Sequence, residues 1–361
     1  MYRWVRPLLF RLDAERAHHV AIRLGTLIQK LPAQRRDDPP ELRQSLFGVD
    51  FPNPVGIAAG LDKNAQCIPF WERIGCGFVE IGSVSADPAP GNPKPRAFRL
   101  PLDRALINRM GLNNDGADAI AARLESVRDS MSTPLGVNIV KTHRPGLEGA
   151  AAVADFCRSF VTLAPLADYV ALNISCPNTD DGKTFEDPAA LDLLLAAVTG
   201  VRDRPGRQVP ILVKFSPPES EDLNAGGRFH ELLAVTESYD VDGYIAANTT
   251  VSRQGLRTDA SVLAQIGQGG LSGRPLATRS KALLQFLFRE TSGRKPIVSV
   301  GGVDSVEEAV IRVYMGAALV QLYTGLVYEG PGLIRRLVEG ISERFAADGV
   351  SGMAEARGRN A

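Results

Sequence analysis

The stretch "NISCPNT" at residues 173–179 sets a hydroxyl beside a thiol between two asparagines. Ser175 and Cys176 are adjacent, so on an extended strand they point to opposite faces and only one can meet a substrate. A thiol with a reference pKa of about 8.5 becomes a thiolate near neutral pH with little help, which suits a base. Lys63 and Lys214 could supply cations, and Asn138, Asn173 and Asn248 offer a donor and an acceptor on each amide. Ser83 and Thr249 add hydroxyls, and Gly302 and Tyr323 end apolar runs of their own. A single asparagine after a strand is as readily a turn residue. Recurrence of the type after several strands is harder to assign to turns.

These residues must be positioned by regular elements, and eight short apolar runs precede them. They are "PVGIAAG" (54–60), "FVEIGSV" (78–84), "PLGVNIV" (134–140), "YVALNIS" (169–175), "PILVKFS" (210–216), "GYIAANTT" (243–250), "PIVSVGG" (296–302) and "LVQLYTG" (319–325). Most are too apolar for half-exposed strands and fit strands covered on both faces. Helical patterns lie between them. In "DSVEEAVIRVYMG" (304–316), Val306, Ala309, Val310 and Val313 form one apolar stripe, with Asp304 as the expected N-cap. Strands alternating with helices predict an α/β fold, a parallel (β/α)8 TIM barrel. An open doubly wound sheet would need G-x-G-x-x-G after an early strand, where this chain has "GLDKNA". Barrel chemistry sits at the carboxyl ends of the strands, where the residues named above fall. "VGGVDS" after the seventh run and "YTG" at the eighth mark a corner that in barrels often binds phosphate, so a phosphate-bearing cofactor is expected. Residues 85–133 and the glycine-dense 251–280 interrupt the barrel pattern without reading as separate domains.

The 361 residues are 44% hydrophobic and 23% charged, ordinary for a globular protein. Lysine plus arginine equals aspartate plus glutamate at 41 each, which argues against a nucleic-acid partner. Cys67, Cys76, Cys157 and Cys176 form no C-x-x-C pair and the four histidines add no ligand spacing, so no metal is expected. Scattered thiols fit a reducing compartment. No run of about 18 purely apolar residues and no signal-peptide core are present, which points to the cytoplasm.

With these motifs placed, the sequence resembles the dihydroorotate dehydrogenase family from about residue 1 to 340. The resemblance is carried by "AAGLDKN" (58–64), "PGNPKPRAFRL" (90–100), "INRMGLNNDG" (107–116), "NISCPNT", "VKFSP" (213–217), "NTT" (248–250), "GGLSGRPL" (269–276) and "VGGVDS" (300–305). It implies an FMN-dependent barrel that oxidises dihydroorotate to orotate in pyrimidine biosynthesis. By position, FMN would be held by Ala59, Gly60, Ser83, Asn138, Asn173 and Lys214, with its phosphate on Gly273, Gly302, Tyr323 and Thr324. Substrate contacts would come from Lys63, Asn108, Arg109, Met110, Gly111, Leu112, Asn178, Asn248 and Thr249. The family's general base sits three residues after the strand-four asparagine and two before the next, which is Cys176 here.

Class 1 members of the family typically carry a cysteine base, and membrane-associated class 2 members a serine base and a quinone acceptor. Cys176 therefore points to class 1, whereas residues 1–31 resemble the class 2 extension. Tyr2, Trp4, Val5, Leu8 and Leu9 interleave with Arg3, Arg6 and Arg11, the composition of an interfacial helix. Ala17, Val20, Ala21, Leu24, Leu27, Ile28 and Leu31 then repeat at helical spacing, and at least partial packing on the barrel is expected of them. His18 and Arg99 match positions that face the quinone in class 2. The reading is a class 2 enzyme with a cysteine base, peripheral on the cytoplasmic side of the inner membrane, its partners dihydroorotate/orotate, a membrane quinone and the inner-leaflet surface. The expected organisation is a helical extension over 1–45, a barrel over 46–347 and a disordered tail over 348–361. Ala247 departs from the flavin-contacting threonine usual in class 2, and "CPNTDDGKTFEDP" from the shorter loop. The alternatives are a class 1-like enzyme using fumarate or NAD, a dihydropyrimidine-type reductase, and a non-catalytic membrane scaffold. Lys63 speaks against the reductase, because uracil has no carboxylate to meet it.

Overall fold

A computed structural model of the chain describes residues 2–30, 37–175, 184–203, 208–219, 223 and 227–361. Eight parallel strands close into a barrel: β1 (Val55–Ile57), β2 (Phe78–Val84), β3 (Leu135–Ile139), β4 (Tyr169–Asn173), β5 (Ile211–Phe215), β6 (Gly243–Ala246), β7 (Ile297–Val300) and β8 (Leu319–Leu322). Each pairs with its neighbours in chain order, and β8 closes on β1 through Val320–Val55 and Leu322–Ile57. Every residue of these strands is buried except Ser83, which is why their sequences run apolar without alternation.

The barrel interior is layered by the two-residue period of its strands. At the amino end Phe78, Tyr169, Leu212 and Leu319 pack under a hairpin of Gln44–Leu46 and Val49–Phe51, whose Phe51 plugs the opening. Two residues beyond Phe78, Leu212 and Leu319, the side chains of Glu80, Lys214 and Gln321 join Asn138 of β3 in a buried polar layer. Beyond it lies the mouth. A register shift between Gly82 and Val84 re-aims the end of β2, so that Ser83 faces the mouth rather than a helix.

The two interruptions of the barrel pattern turn out to be one structure. Ala97–Leu100 and Ala105–Asn108 pair antiparallel, and Gly270–Gly273 adds to the second of them. A side chain at Gly273 would come within 2.4 Å of the Arg104 carbonyl, so this close approach requires glycine. Ala117–Arg128, also inside the first interruption, is a regular barrel helix. Helix Val306–Tyr314 is capped by Ser305, whose hydroxyl accepts from the Glu308 N–H, and not by the expected Asp304. The Asp304 carboxylate is taken by Arg104 and Arg274 at 2.9 and 2.7 Å.

The N-terminal residues form α1 (Tyr2–Arg11) and α2 (Ala14–Ile28), with Asp13 capping the second. In α1 no residue is buried, and Tyr2 and Arg6 tie it to the carbonyls of Val327 and Tyr328. In α2 the docked face is Glu15, Ala17, Ile22 and Gly25, while Val20, Leu24, Leu27 and Ile28 are exposed. Packing of α2 is thus partial, and most of its apolar stripe faces away from the barrel. Segment 149–166 is long and apolar enough by composition to cross a membrane, but it is a barrel helix with Ala152, Phe156, Phe160 and Leu163 in the core. The expectation of a disordered tail is corrected. Met353 and Ala356 are buried, and Arg357 donates to the carbonyls of Gly293, Lys295 and Gly316, which docks the end of the chain.

Candidate active site

A cleft opens at the carboxyl ends of the strands, between the barrel and the antiparallel sheet. Ala59, Gly60, Ser83, Asn173 and Lys214 line its floor. Gly273, Gly301, Gly302, Tyr323 and Thr324 form one end, and Lys63, Asn108, Met110, Leu112, Asn248 and Thr249 line the other side. The side chain of Thr324 is fixed by a 2.8 Å hydrogen bond to Ser272. Gly60 packs its bare Cα against Tyr323, whose hydroxyl is pushed up to about 12 by burial and so stays protonated. Ala247 presents only a methyl here.

The amides of the floor form a directed chain. Asn248 Nδ2 donates to Asn173 Oδ1 at 3.1 Å, and Asn173 Nδ2 donates to Ser83 Oγ at 2.9 Å. Ser83 donates to Asn138 Oδ1, and Asn138 Nδ2 donates to Glu80 Oε1 at 3.2 Å. Every donor points the same way, toward a carboxylate that can only accept, so Glu80 fixes which edge each amide presents. Asn138 therefore serves from below and does not line the cleft. Glu80 also accepts from Tyr169 (3.0 Å) and Gln321 (2.6 Å) and lies 4.0 Å from Lys214 Nζ. Burial holds the Lys214 amine below its ordinary value and Glu80 opposes that shift.

Lys63 Nζ donates to Asn113 Oδ1 at 2.6 Å, and Asn113 also lines the cleft. Asp62, buried beside Lys63, accepts from the N–H groups of Gln66 and Cys67 and from Trp71, which holds the turn that presents the lysine. The Thr249 hydroxyl oxygen is buried without a hydrogen-bond partner among the described residues, an acceptor and donor left for a ligand. Ser175 Oγ donates to Lys214 O at 3.1 Å and accepts from Asn248 at 3.1 Å, so its hydroxyl is engaged between β4 and β5. Cys176 and Asn178 lie outside the described residues.

Two expected substrate residues do not line the cleft. Arg109 stacks over Phe98 at 4.6 Å and donates to the carbonyls of Ile266 and Gln268, bracing the antiparallel sheet. The Gly111 carbonyl accepts from His143, and its close approach to Asn92 marks a structural turn. Arg99 lies two residues from cleft-lining Ala97 on the same strand face and reaches outward to Leu12 O at 2.8 Å, over the Phe10 ring at 4.8 Å. His18 is pushed down to about 4 by burial, with Lys63 and His19 adding repulsion, so its imidazole is neutral. The 2.8 Å ion pair of Glu15 with Arg96, next to cleft-lining Ala97, places α2 beside the cleft. Sequence reasoning missed Glu80 and Asn113. A glutamate within the apolar "FVEIGSV" and the paired amides of "GLNNDG" were the available signals.

The cleft fits a flavin nucleotide: a glycine-built end for a phosphate, an amide and lysine floor for a polar ring edge, and a hydroxyl unpartnered among the described residues. Comparison with known proteins gives one family. The dihydroorotate dehydrogenase family model matches residues 41–345. A protein of Salinispora arenicola named dihydroorotate dehydrogenase (quinone) is 46% identical over 340 residues, 92% of this chain and 96% of the relative. One of the same name from Nocardia farcinica is 41% identical over 366 residues, 99% of this chain and 96% of the relative. A crystal structure of DHODH from Eimeria tenella in complex with ferulenol superposes with a TM-score of 0.87 at 30% identity, covering 96% of each chain. The ligand-free form from the same organism gives 0.86 at 31% identity, over 95% of this chain and 98% of that one.

Proposed function

This chain belongs to the dihydroorotate dehydrogenase (quinone) family, and from that premise we propose how its residues divide the work. The protein oxidises dihydroorotate to orotate in pyrimidine biosynthesis, with FMN as cofactor and a quinone as electron acceptor. When bound, FMN supplies the acceptor for the hydride leaving the substrate ring. Ala59, Gly60, Ser83, Asn173 and Lys214 would hold it along the floor, Asn138 orients the amides, and Gly273, Gly302, Tyr323 and Thr324 would take its phosphate. Lys63 pairs with the substrate carboxylate, and Asn108, Asn178, Asn248 and Thr249 meet the amide edges of the pyrimidine ring. Cys176, as thiolate, takes the proton from the ring carbon beside the C4 carbonyl while the neighbouring carbon loses hydride, leaving the new double bond. Buried Lys214 would favour negative charge on a flavin ring held beside it.

The observation that carries this reading is the convergence of two lysines, the amide chain and the glycine-built end on one cleft, with the Thr249 hydroxyl unpartnered among the described residues. Anaerobic addition of dihydroorotate to the purified holoenzyme is the test. Bleaching of the flavin with stoichiometric orotate is expected, and a spectrum that stays oxidised would reject the assignment. For the acceptor, the supporting observation is the docking of α1 and α2 beside the cleft. Quinone enters between them and strand Ala97–Leu100, with His18 and Arg99 along the path. The exposed Trp4, Val5, Leu8, Leu24 and Leu27 rest on the cytoplasmic leaflet of the inner membrane, peripherally.

A further inference from the structure

Behind the glycine turn at the phosphate end of the cleft lies a guanidinium with no surface exposure. Arg312, on helix Val306–Tyr314, is fully buried. Its Nη2 donates to Gly301 O at 2.5 Å, and its Nη1 to Ser280 Oγ at 2.6 Å and Ser299 Oγ at 2.7 Å. Its Nε donates to Glu308 Oε1 at 3.1 Å, and the Ser280 hydroxyl also donates to Gly301 O at 3.3 Å. Burying a cation is costly even when it is fully paired, and an apolar side chain of similar size would fill this space more favourably. What the arginine adds is a hold on one peptide group.

In a trans peptide the carbonyl and the following N–H point in opposite directions. With Gly301 O drawn toward Arg312, the Gly302 N–H is turned the other way, into the cleft that both glycines line. Both glycines have positive φ, +112° and +88°, and two adjacent glycines can flip the intervening peptide at little cost. The turn therefore needs an outside hold to keep the N–H inward. The same cluster places charge as well as geometry. Arg312 and Lys281 face the single carboxylate of Glu308 at 3.0 and 3.2 Å, two cations against one anion directly behind the turn.

We propose that Arg312 is a positioning residue for the phosphate of the bound flavin nucleotide, aiming the Gly302 N–H at it and setting a buried positive charge behind it. The inference rests on reading this corner as the phosphate site. The test exploits riboflavin, which is FMN without its phosphate. Holoenzyme is equilibrated with an equimolar excess of FMN and riboflavin, and the bound flavins are then separated and quantified for wild type, Arg312→Met and Arg312→Lys. Wild type should retain mostly FMN. Arg312→Met should cut the FMN-to-riboflavin ratio roughly 10- to 100-fold, the range for losing a hydrogen bond to a charged group, and Arg312→Lys should recover part of it. Loss of both flavins at an unchanged ratio would mean that Arg312 only supports the fold, and overturns the proposal. If Arg312→Met does not fold, Arg312→Lys decides: a several-fold fall supports the proposal and an unchanged ratio overturns it. A wild-type protein without preference for FMN rejects the phosphate reading and the proposal together, whereas a preference that survives substitution rejects the proposal alone.

Discussion

At the scale of single residues, the side chains that touch the cleft are fixed by ones that do not. Glu80 ends the amide chain and Asp62 holds the turn that carries Lys63. Ser175 belongs with these supporting groups, because its hydroxyl is spent between Lys214 O and Asn248. Cys176→Ser should retain flavin while shifting the pH dependence of flavin reduction upward, because a hydroxyl is a far weaker acid than a thiol. An unchanged profile in pre-steady-state reduction would remove Cys176 from the base role. Ser175→Ala should raise KM for dihydroorotate about 3- to 10-fold through a loosened Asn248, a loss of roughly one hydrogen bond, with little change in the reduction rate at saturation. A collapse of that rate would return the base role to the serine. The candidate lysines and asparagines were legible because a cation or amide after an apolar run has no packing explanation. Glu80 was not, because its partners on β3, β4, β5 and β8 come together only when the barrel closes.

At the scale of elements, α2 is the informative one. Glu15 is buried against Arg96, at 2.8 Å, and Lys94 approaches it at 3.3 Å. Burial opposes ionisation of Glu15, but the hydrogen bonds from Arg96 and Lys94 hold its carboxyl below the usual range. Arg96 also donates to Pro90 O and Asn92 O, so one ion pair clamps the helix to the loop at the cleft. Removing one partner of a buried pair typically costs about 3 to 5 kcal/mol. Glu15→Gln should therefore loosen α2 and slow quinone turnover tenfold or more, while flavin reduction by dihydroorotate stays within about twofold. Equal slowing of both half-reactions would contradict a role confined to the quinone side. His18 gives a pH signature. Its folded value of about 4 lies below the ordinary 6.5, so the unfolded chain binds more protons in that interval. The stability it contributes is fully present above about pH 6.5 and is lost as pH falls toward 4. His18→Gln should flatten the fall of the thermal midpoint over this window, and parallel curves for the two proteins would contradict the burial of a neutral imidazole. The helical period of α2 could be read from sequence, but which face docks could not. The docked face is chosen by Glu15 meeting Arg96 and by Gly25 letting the helix approach Cys67, while the apolar stripe looks outward.

At the scale of the whole molecule, one barrel carries two additions, a sheet that roofs the cleft and a helical pair docked beside it with an apolar face exposed. The barrel was legible because eight strands buried on both faces leave eight apolar runs. The roof was not, since Ala105–Asn108 and Gly270–Gly273 are more than 150 residues apart and neither alternates strongly. The tail misled for a related reason. Its polar residues look solvated, but Met353, Ala356 and the three carbonyls that Arg357 binds anchor it. Deleting residues 352–361 should lower stability by about 2 to 4 kcal/mol, since burial of Met353 alone is worth roughly 1.5 to 3. An unchanged denaturant midpoint would show the docking to be energetically idle. The proposal at this scale is a cysteine base working beside a quinone-delivering extension. Its most direct test is stopped-flow reoxidation of the dihydroorotate-reduced holoenzyme, with a short-chain ubiquinone and fumarate compared in parallel, for the full chain and for a variant lacking residues 1–30. Fast reoxidation by quinone alone, lost in the shortened chain while reduction persists, is the expected result. Fast reoxidation by fumarate, or quinone turnover indifferent to the missing helices, would contradict it.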